Sequence, residues 1–146
     1  MSVDEKTQGG FSEAEREAMR ARAEELRNEG RGGKKKADEA QKCLDAIAAM
    51  DDADRVLAER VHAIVAEVAP QLDAKTWYGM PAYARDGKVV VFFQGAAKFG
   101  ARYATLGFND TAALDDGTMW PTAFALRDIT DDDAARITEL VRRAVG

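Results

Sequence analysis

Residues 86–94 have the sequence Asp-Gly-Lys-Val-Val-Val-Phe-Phe-Gln, and this stretch decides the fold class. Asp-Gly is a preferred dipeptide for a two-residue hairpin turn, and the run after it is rich in the β-branched and aromatic residues that favour strands. We therefore expect a strand on each side of this turn. Two further strands are expected over residues 102–108 and 122–127. The connections are too short for helical crossovers, so the pattern predicts a mainly antiparallel sheet.

Helical periodicity flanks this central region on both sides. Before it, a short helix is predicted with a stripe formed by Ala40, Leu44, Ile47 and Ala48, with Cys43 at the edge. Asp51 and Asp52 separate it from a stronger helix, which Pro70 ends and whose apolar face consists of Leu57, Val61, Ile64, Val65 and Val68. After the strands, Thr130 is expected to cap a last helix with a face formed by Ala134, Ile137, Val141, Ala144 and Val145.

These elements predict an α+β fold: an antiparallel sheet of about four to six strands, packed by two helices before it and one after it. The domain is expected to occupy residues 37–146, and residues 1–36 form a segment outside it. In that segment, Ser12 to Glu15 form a capping box that begins an extra helix. Its apolar side is small, so we expect a weakly docked helix followed by a flexible Gly/Lys linker.

Composition excludes several classes of function. The chain has 146 residues, which suits one domain, and it holds one Cys and one His, which excludes a disulfide framework, a Cys/His zinc site and an iron-sulfur site. The net charge is -5, so nucleic acid is not expected as a partner. No apolar stretch approaches the roughly 20 residues that a membrane span needs, and the polar start has no signal-peptide core. We expect a cytoplasmic monomer.

Most polar candidates have simple structural interpretations. Cys43, at the edge of an apolar stripe, is expected to be an inert buried thiol, and His62, off the apolar face of its helix, is expected to be exposed. Asp clusters at residues 51–54 and 131–133 lie where helix N-termini favour negative charge. A metal held by carboxylates alone remains an open alternative.

The segment from Trp77 to Tyr83 is the main candidate site. Pro81 lacks an N–H group, so the segment is expected at a sheet edge or a bulge. If the segment is extended, Trp77 and Tyr83 face the same side and leave a shallow aromatic slot between them. We expect ligand or partner contacts at Trp77, Tyr78, Gly79, Met80, Pro81 and Tyr83, with Lys98 as a charge at the rim. An interpretation in which these rings simply cover the core stays open.

The same residues resemble a known family. The string Thr-Trp-Tyr-Gly-Met-Pro-Ala-Tyr at residues 76–83, the following Gly-Lys-Val-Val-Val-Phe-Phe, the later Gly-Phe and the closing helix look like the YdhG-like domain-of-unknown-function family. The resemblance covers about residues 39–146. It implies a frataxin-like sandwich and an iron-chaperone role, with iron as cargo and an iron-sulfur or haem assembly protein as partner. Residues 98–103 lack the His that many members have there, and no metal ligand is assigned.

Three functions follow as hypotheses. The leading one is a small binding protein without catalytic activity, which either holds iron on surface carboxylates or docks a partner through the Trp77 to Tyr83 surface. The second is a small-molecule sensor or enzyme that uses the slot as a pocket, with Tyr78, Tyr83 and Lys98 as its polar groups. The third is an interaction scaffold that recruits another protein through the first helix.

Overall fold

A computed structural model describes residues 10–29 and 33–146, and these residues form an α+β fold. The described helices are α1 (Glu13–Asn28), α2 (Gly33–Ala48), α3 (Asp52–Val68) and α4 (Asp131–Ala144). The strands are β1 (Asp73–Trp77), β2 (Met80–Arg85), β3 (Lys88–Gln94), β4 (Ala104–Phe108) and β5 (Ala123–Leu126), with a 3₁₀ helix over Ala97–Phe99. The predicted fold class, an antiparallel sheet packed by helices, is confirmed.

The sheet is a meander in which each strand pairs antiparallel with the next, in the order β1-β2-β3-β4-β5. The predicted hairpin is present, because Asp86 and Gly87 have φ of 53° and 81°, the positive values that a tight two-residue turn requires. Strand β1 was not among the expected strands. A second two-residue turn, Tyr78-Gly79, joins it to β2, and Tyr78 has the left-handed φ of 55°.

Helices α2, α3 and α4 pack with the sheet around one main hydrophobic core. Their buried side chains are Cys43 and Ile47 from α2, Leu57, Ala58, Val61 and Val65 from α3, and Ile137, Val141 and Ala144 from α4. The sheet contributes Tyr83, Val90, Val91, Phe93, Ala104, Leu106, Phe108 and Leu126. A smaller cluster, formed by Ala82, Ala84 and Val89 with Trp77 and Phe92, is separate from this core.

The helix boundaries confirm the predicted capping box at Ser12 and the predicted cap at Thr130. Ser12 and Glu15 cap α1 reciprocally, and Thr130 and Asp133 do the same for α4. Helix α2 differs from the expectation in two ways. It begins at Gly33, so the lysines at 34–36 lie in its first turns rather than in a linker. Its buried stripe is centred on Cys43 and Ile47, while Leu44 is exposed.

The remaining part of the expected linker, residues 30–32, and residues 1–9 lie outside the described residues. The expected division of the chain at residue 36 stays a prediction. Within the described ranges, the structure contains no helix that is both long enough and apolar enough to cross a membrane.

Candidate functional site

The Trp77 to Tyr83 segment reverses direction instead of running extended. Trp77 pairs directly with Met80 across the Tyr78-Gly79 turn, so the register places Trp77 and Tyr83 on opposite faces of the hairpin. The predicted slot between Trp77 and Tyr83 is therefore wrong. Pro81 also lies away from a sheet edge, since β2 is flanked by β1 and β3, although β2 does have a register shift between Tyr83 and Ala84.

Trp77 belongs to the smaller hydrophobic cluster. Its ring centroid lies 5.2 Å from that of Phe92, and the two planes are tilted by 51°. The Phe92 ring covers Gly107 so closely that a Cβ at Gly107 would collide with it. Trp77 is thus held by packing on this side of the sheet.

Tyr83 is buried in the main core and brings the only Cys and the only His of the chain to one phenol group. Its hydroxyl lies 2.9 Å from Nδ1 of His62, and the buried Cys43 side chain belongs to the same core cluster. Burial raises the pKa of Cys43 to about 11, against a smaller lowering by the hydrogen bonds to Tyr83 and Ala82. Burial also raises the pKa of Tyr83. The thiol is therefore neutral near pH 7, which agrees with the expected inert cysteine.

His62 departs from its expected exposure. It is half-buried, and desolvation lowers the pKa of its imidazole. The expectation of an exposed side chain is wrong, because the hydrogen bond to Tyr83 draws the ring toward the core. The His62–Tyr83 hydrogen bond does not activate Cys43, because a buried and protonated thiol is a poor nucleophile.

Four of the seven predicted site residues line one pocket. They are Tyr78, Gly79, Met80 and Lys98. The pocket has a volume of about 490 Å³ and is also lined by Ala46, Ala49, Met50, Asp51, Asp54, Phe93, Gly95, Ala97 and Phe99. It lies between the end of α2, the start of α3, the β1–β2 turn and the segment that contains the 3₁₀ helix. Trp77, Pro81 and Tyr83 are not among its lining residues.

Asp54 is a charged residue in the wall of this pocket. Its residue exposure is only 6%, and its Oδ2 accepts a hydrogen bond of 2.9 Å from the main-chain amide of Ala97. Gly95 permits this approach, since a Cβ at that position would lie 2.9 Å from the same oxygen. The sequence interpretation of Asp54 as a first-turn helix charge describes its position in α3 correctly but misses this long-range contact.

Lys98 supplies a cation at the rim of the pocket. Its side chain is half-exposed, and its Nζ lies 3.9 Å from the Glu17 carboxylate of α1. A Cβ at Gly79 would lie 3.7 Å from the same Nζ, so Lys98 reaches toward the β1–β2 turn. The rest of the lining is mainly apolar, with Met80 and Phe93 among the larger side chains.

Helix α1 is held on the β1–β2 turn by a carboxylate. The two oxygens of Glu25 accept hydrogen bonds from the main-chain amides of Tyr78 and Gly79, at 2.9 Å and 3.0 Å. The guanidinium of Arg22 lies 5.8 Å from the centre of the Tyr78 ring. No local pattern points to Glu25, because an acidic residue on a polar helix is most often solvated.

The part of the chain that the structure describes contains no cluster of side chains that could bind a metal ion. Within residues 10–29 and 33–146, no three His, Cys, Asp or Glu side chains lie close enough together to hold a metal ion. At the start of α4, Asp133 takes part in the cap of the helix, whereas at the start of α3 Asp51 occupies the N-cap position without a side-chain capping hydrogen bond and Asp54 bonds to Ala97 instead.

Comparisons with protein-family models, with curated proteins and with solved structures found no match for this chain. The resemblance to the YdhG-like family stays a prediction.

Proposed function

We propose that the protein is a small-molecule-binding protein and that the pocket beside the β1–β2 turn is its binding site. The observation that carries this proposal is a pocket of about 490 Å³ with a mainly apolar lining, into which a buried carboxylate and a half-exposed ammonium project. Ligand sites in proteins have this size and this combination of apolar walls with a few fixed polar groups.

Three charged side chains line the pocket, and their positions define the class of ligand: Asp51 and Asp54 lie at the start of α3, and Lys98 lies at the rim. Asp54 is fixed in the wall by the amide of Ala97 and repels a second anion nearby, but it accepts a hydrogen bond from a hydroxyl or amine. Lys98 at the rim favours an anion. The expected ligand is therefore an aromatic or aliphatic carboxylate that places its apolar body against the partly exposed Met80 and Phe99 and a hydrogen-bond donor near Asp54.

A thermal-shift screen of small aromatic and aliphatic carboxylates on the full chain tests the proposal. Ala49 lines the pocket and Ala48 does not, and both are exposed, so Ala49→Phe narrows the pocket while Ala48→Phe is its matched control. We expect compounds that raise the melting temperature of the wild type and of Ala48→Phe but not of Ala49→Phe. A library without any stabilising carboxylate, or an Ala49→Phe variant that responds like the wild type, contradicts the proposal.

A second pair of variants tests the role of the rim charge. Lys98→Ala removes the ammonium at the pocket, and Lys88→Ala removes an exposed ammonium at the start of β3. Loss of a charge-assisted contact is expected to weaken carboxylate binding by about tenfold in the first variant alone. Equal affinities of the two variants would show that Lys98 does not bind the ligand.

The iron-chaperone role and a partner in iron-sulfur or haem assembly remain proposals that rest on the family resemblance. Anaerobic titration with ferrous iron, followed by amide NMR, tests the iron role independently of the pocket. If no carboxylate cluster responds at millimolar iron, that role fails.

A further inference from the structure

Two glutamates of helix α1 and the glutamate at its C-cap face the body of the chain, and each meets a donor outside the helix. Glu25 meets the β1–β2 turn, as described above. Glu29 lies 3.4 Å from Nζ of Lys75, and Glu17 lies 3.9 Å from Nζ of Lys98. Lys75 has an exposure of only 5%, so its charge is enclosed where α1 lies against β1. At both ends of α1, a glutamate therefore faces a lysine of the rest of the chain.

The Tyr78-Gly79 turn is shaped to hold a carboxylate. Both residues have left-handed backbone conformations, with φ of 55° and 78°, and their consecutive amides point at one carboxylate. Such concave pairs of amides bind anions in many proteins. The Glu25 side chain retains only 12% of its exposure, so this carboxylate is enclosed.

Small side chains allow the helix to approach the turn. A Cβ at Gly79 would lie 3.6 Å from Cβ of Ala21, and Ala18 is the buried residue of α1. The larger apolar side chains of the helix, Met19 and Leu26, remain exposed. Since little apolar surface is buried, polar contacts hold α1 in place, and polar surface contacts are readily exchanged.

We propose that the amides of Tyr78 and Gly79, flanked by Lys75 and Lys98, form a recognition site for a glutamate-bearing helix. Helix α1 occupies this site in cis, and an acidic helix of a partner protein takes the same site when α1 leaves. The partner helix carries a small residue four positions before its glutamate, as Ala21 precedes Glu25. The site shares Tyr78, Gly79 and Lys98 with the lining of the pocket, but this inference uses the main-chain amides of the turn and does not need an occupied pocket.

The test releases α1 without changing the site. Ala21→Arg places a large side chain against Gly79, while Ala23→Arg adds the same charge at an exposed position of the same helix. The probe is a labelled peptide of residues 11–29, followed by fluorescence anisotropy. A short connection gives the cis helix an effective concentration in the millimolar range, so we expect the peptide to bind Ala21→Arg at least about tenfold more tightly than the wild type or Ala23→Arg.

A control peptide that carries Glu25→Gln measures the contribution of the Glu25 carboxylate to binding. It is expected to lose about tenfold in affinity for Ala21→Arg, since a charged acceptor is replaced by a neutral one. The proposal is overturned if the two peptides bind alike, or if the unmodified peptide fails to bind a chain in which hydrogen exchange shows that the Tyr78 and Gly79 amides are free.

Hydrogen exchange in the full chain gives a readout that does not depend on release by Ala21→Arg. In Glu25→Gln, we expect exchange at the amides of Tyr78 and Gly79 to accelerate by about tenfold, because both lose a charged acceptor. Glu24→Gln changes the neighbouring exposed residue and is expected to leave both amides unchanged. Unchanged exchange in Glu25→Gln overturns the assignment of the turn as a carboxylate site.

Discussion

Asp54 accepts a hydrogen bond of 2.9 Å from the main-chain amide of Ala97, which lies 43 positions away in the chain. This bond joins the start of α3 to the 3₁₀ helix, so two walls of the pocket are fixed relative to each other. The pocket therefore depends on a contact that also contributes to stability.

Removing this carboxylate is expected to destabilise the fold. Asp54→Ala deletes a buried, charged acceptor and leaves the Ala97 amide without it, so the free energy of unfolding should fall by about 1.5–3 kcal/mol. Asp52→Ala removes an exposed carboxylate from the same helix turn and is expected to cost less than about 1 kcal/mol. Urea denaturation of both variants measures the difference, and equal losses would contradict the role assigned to Asp54.

Gly95 is expected to tolerate no side chain. In Gly95→Ala, the new Cβ would lie 2.9 Å from Oδ2 and 3.2 Å from Cγ of Asp54, so either the carboxylate or the backbone must move. Overpacking of this kind typically costs about 1–3 kcal/mol. Gly33→Ala is the control, since a Cβ at Gly33 meets nothing within 4 Å and Ala favours the helix. Chemical denaturation should show destabilisation in the first variant only.

His62, the only histidine in the sequence, is expected to make the free energy of unfolding depend on pH. Desolvation lowers the pKa of His62 in the folded state, so between that pKa and the ordinary value near 6.5 the unfolded chain binds more protons. This contribution to stability is complete above the unfolded pKa and is lost as the pH falls through the window to the folded pKa. His62→Gln should remove it. If wild type and variant have parallel stability curves from about pH 5 to 8, the prediction fails.

Cys43 is expected to react with thiol reagents only when the core opens. With a pKa of about 11 and complete burial, its thiolate fraction at pH 8 is about one in a thousand. Iodoacetamide should therefore modify the folded chain at least about a hundredfold more slowly than the chain in guanidinium chloride. Because the sequence holds one Cys, mass spectrometry reads this site alone. Comparable rates in the two conditions would contradict the burial of Cys43.

Local signals in the sequence were sufficient for much of the fold. The Asp86-Gly87 turn, the capping box at Ser12, the cap at Thr130 and the apolar stripe of α3 each depend on residues within a few positions of one another. Such signals predict the elements and their order, and the short connections then favour an antiparallel meander.

The site depends on contacts that no local pattern contains. Tyr-Gly is not a usual dipeptide for a tight hairpin turn, and the left-handed conformation of Tyr78 is accompanied by its hydrogen bond to Glu25, 53 positions away. Without that turn, Trp77 and Tyr83 were expected on the same side. Asp54 had a sufficient local explanation as a helix-start charge, so its contact with Ala97 was not predicted.

The most direct measurement is an NMR titration of the isotope-labelled full chain with a carboxylate that raises its melting temperature. Binding in the pocket should shift the amides of Ala97 and Lys98 and the methyl group of Met80, with one saturation curve. The indole N–H of Trp120, which does not line the pocket, should remain unchanged. Saturable shifts at Trp120 with unchanged signals from Ala97, Lys98 and Met80 would contradict the proposed binding site.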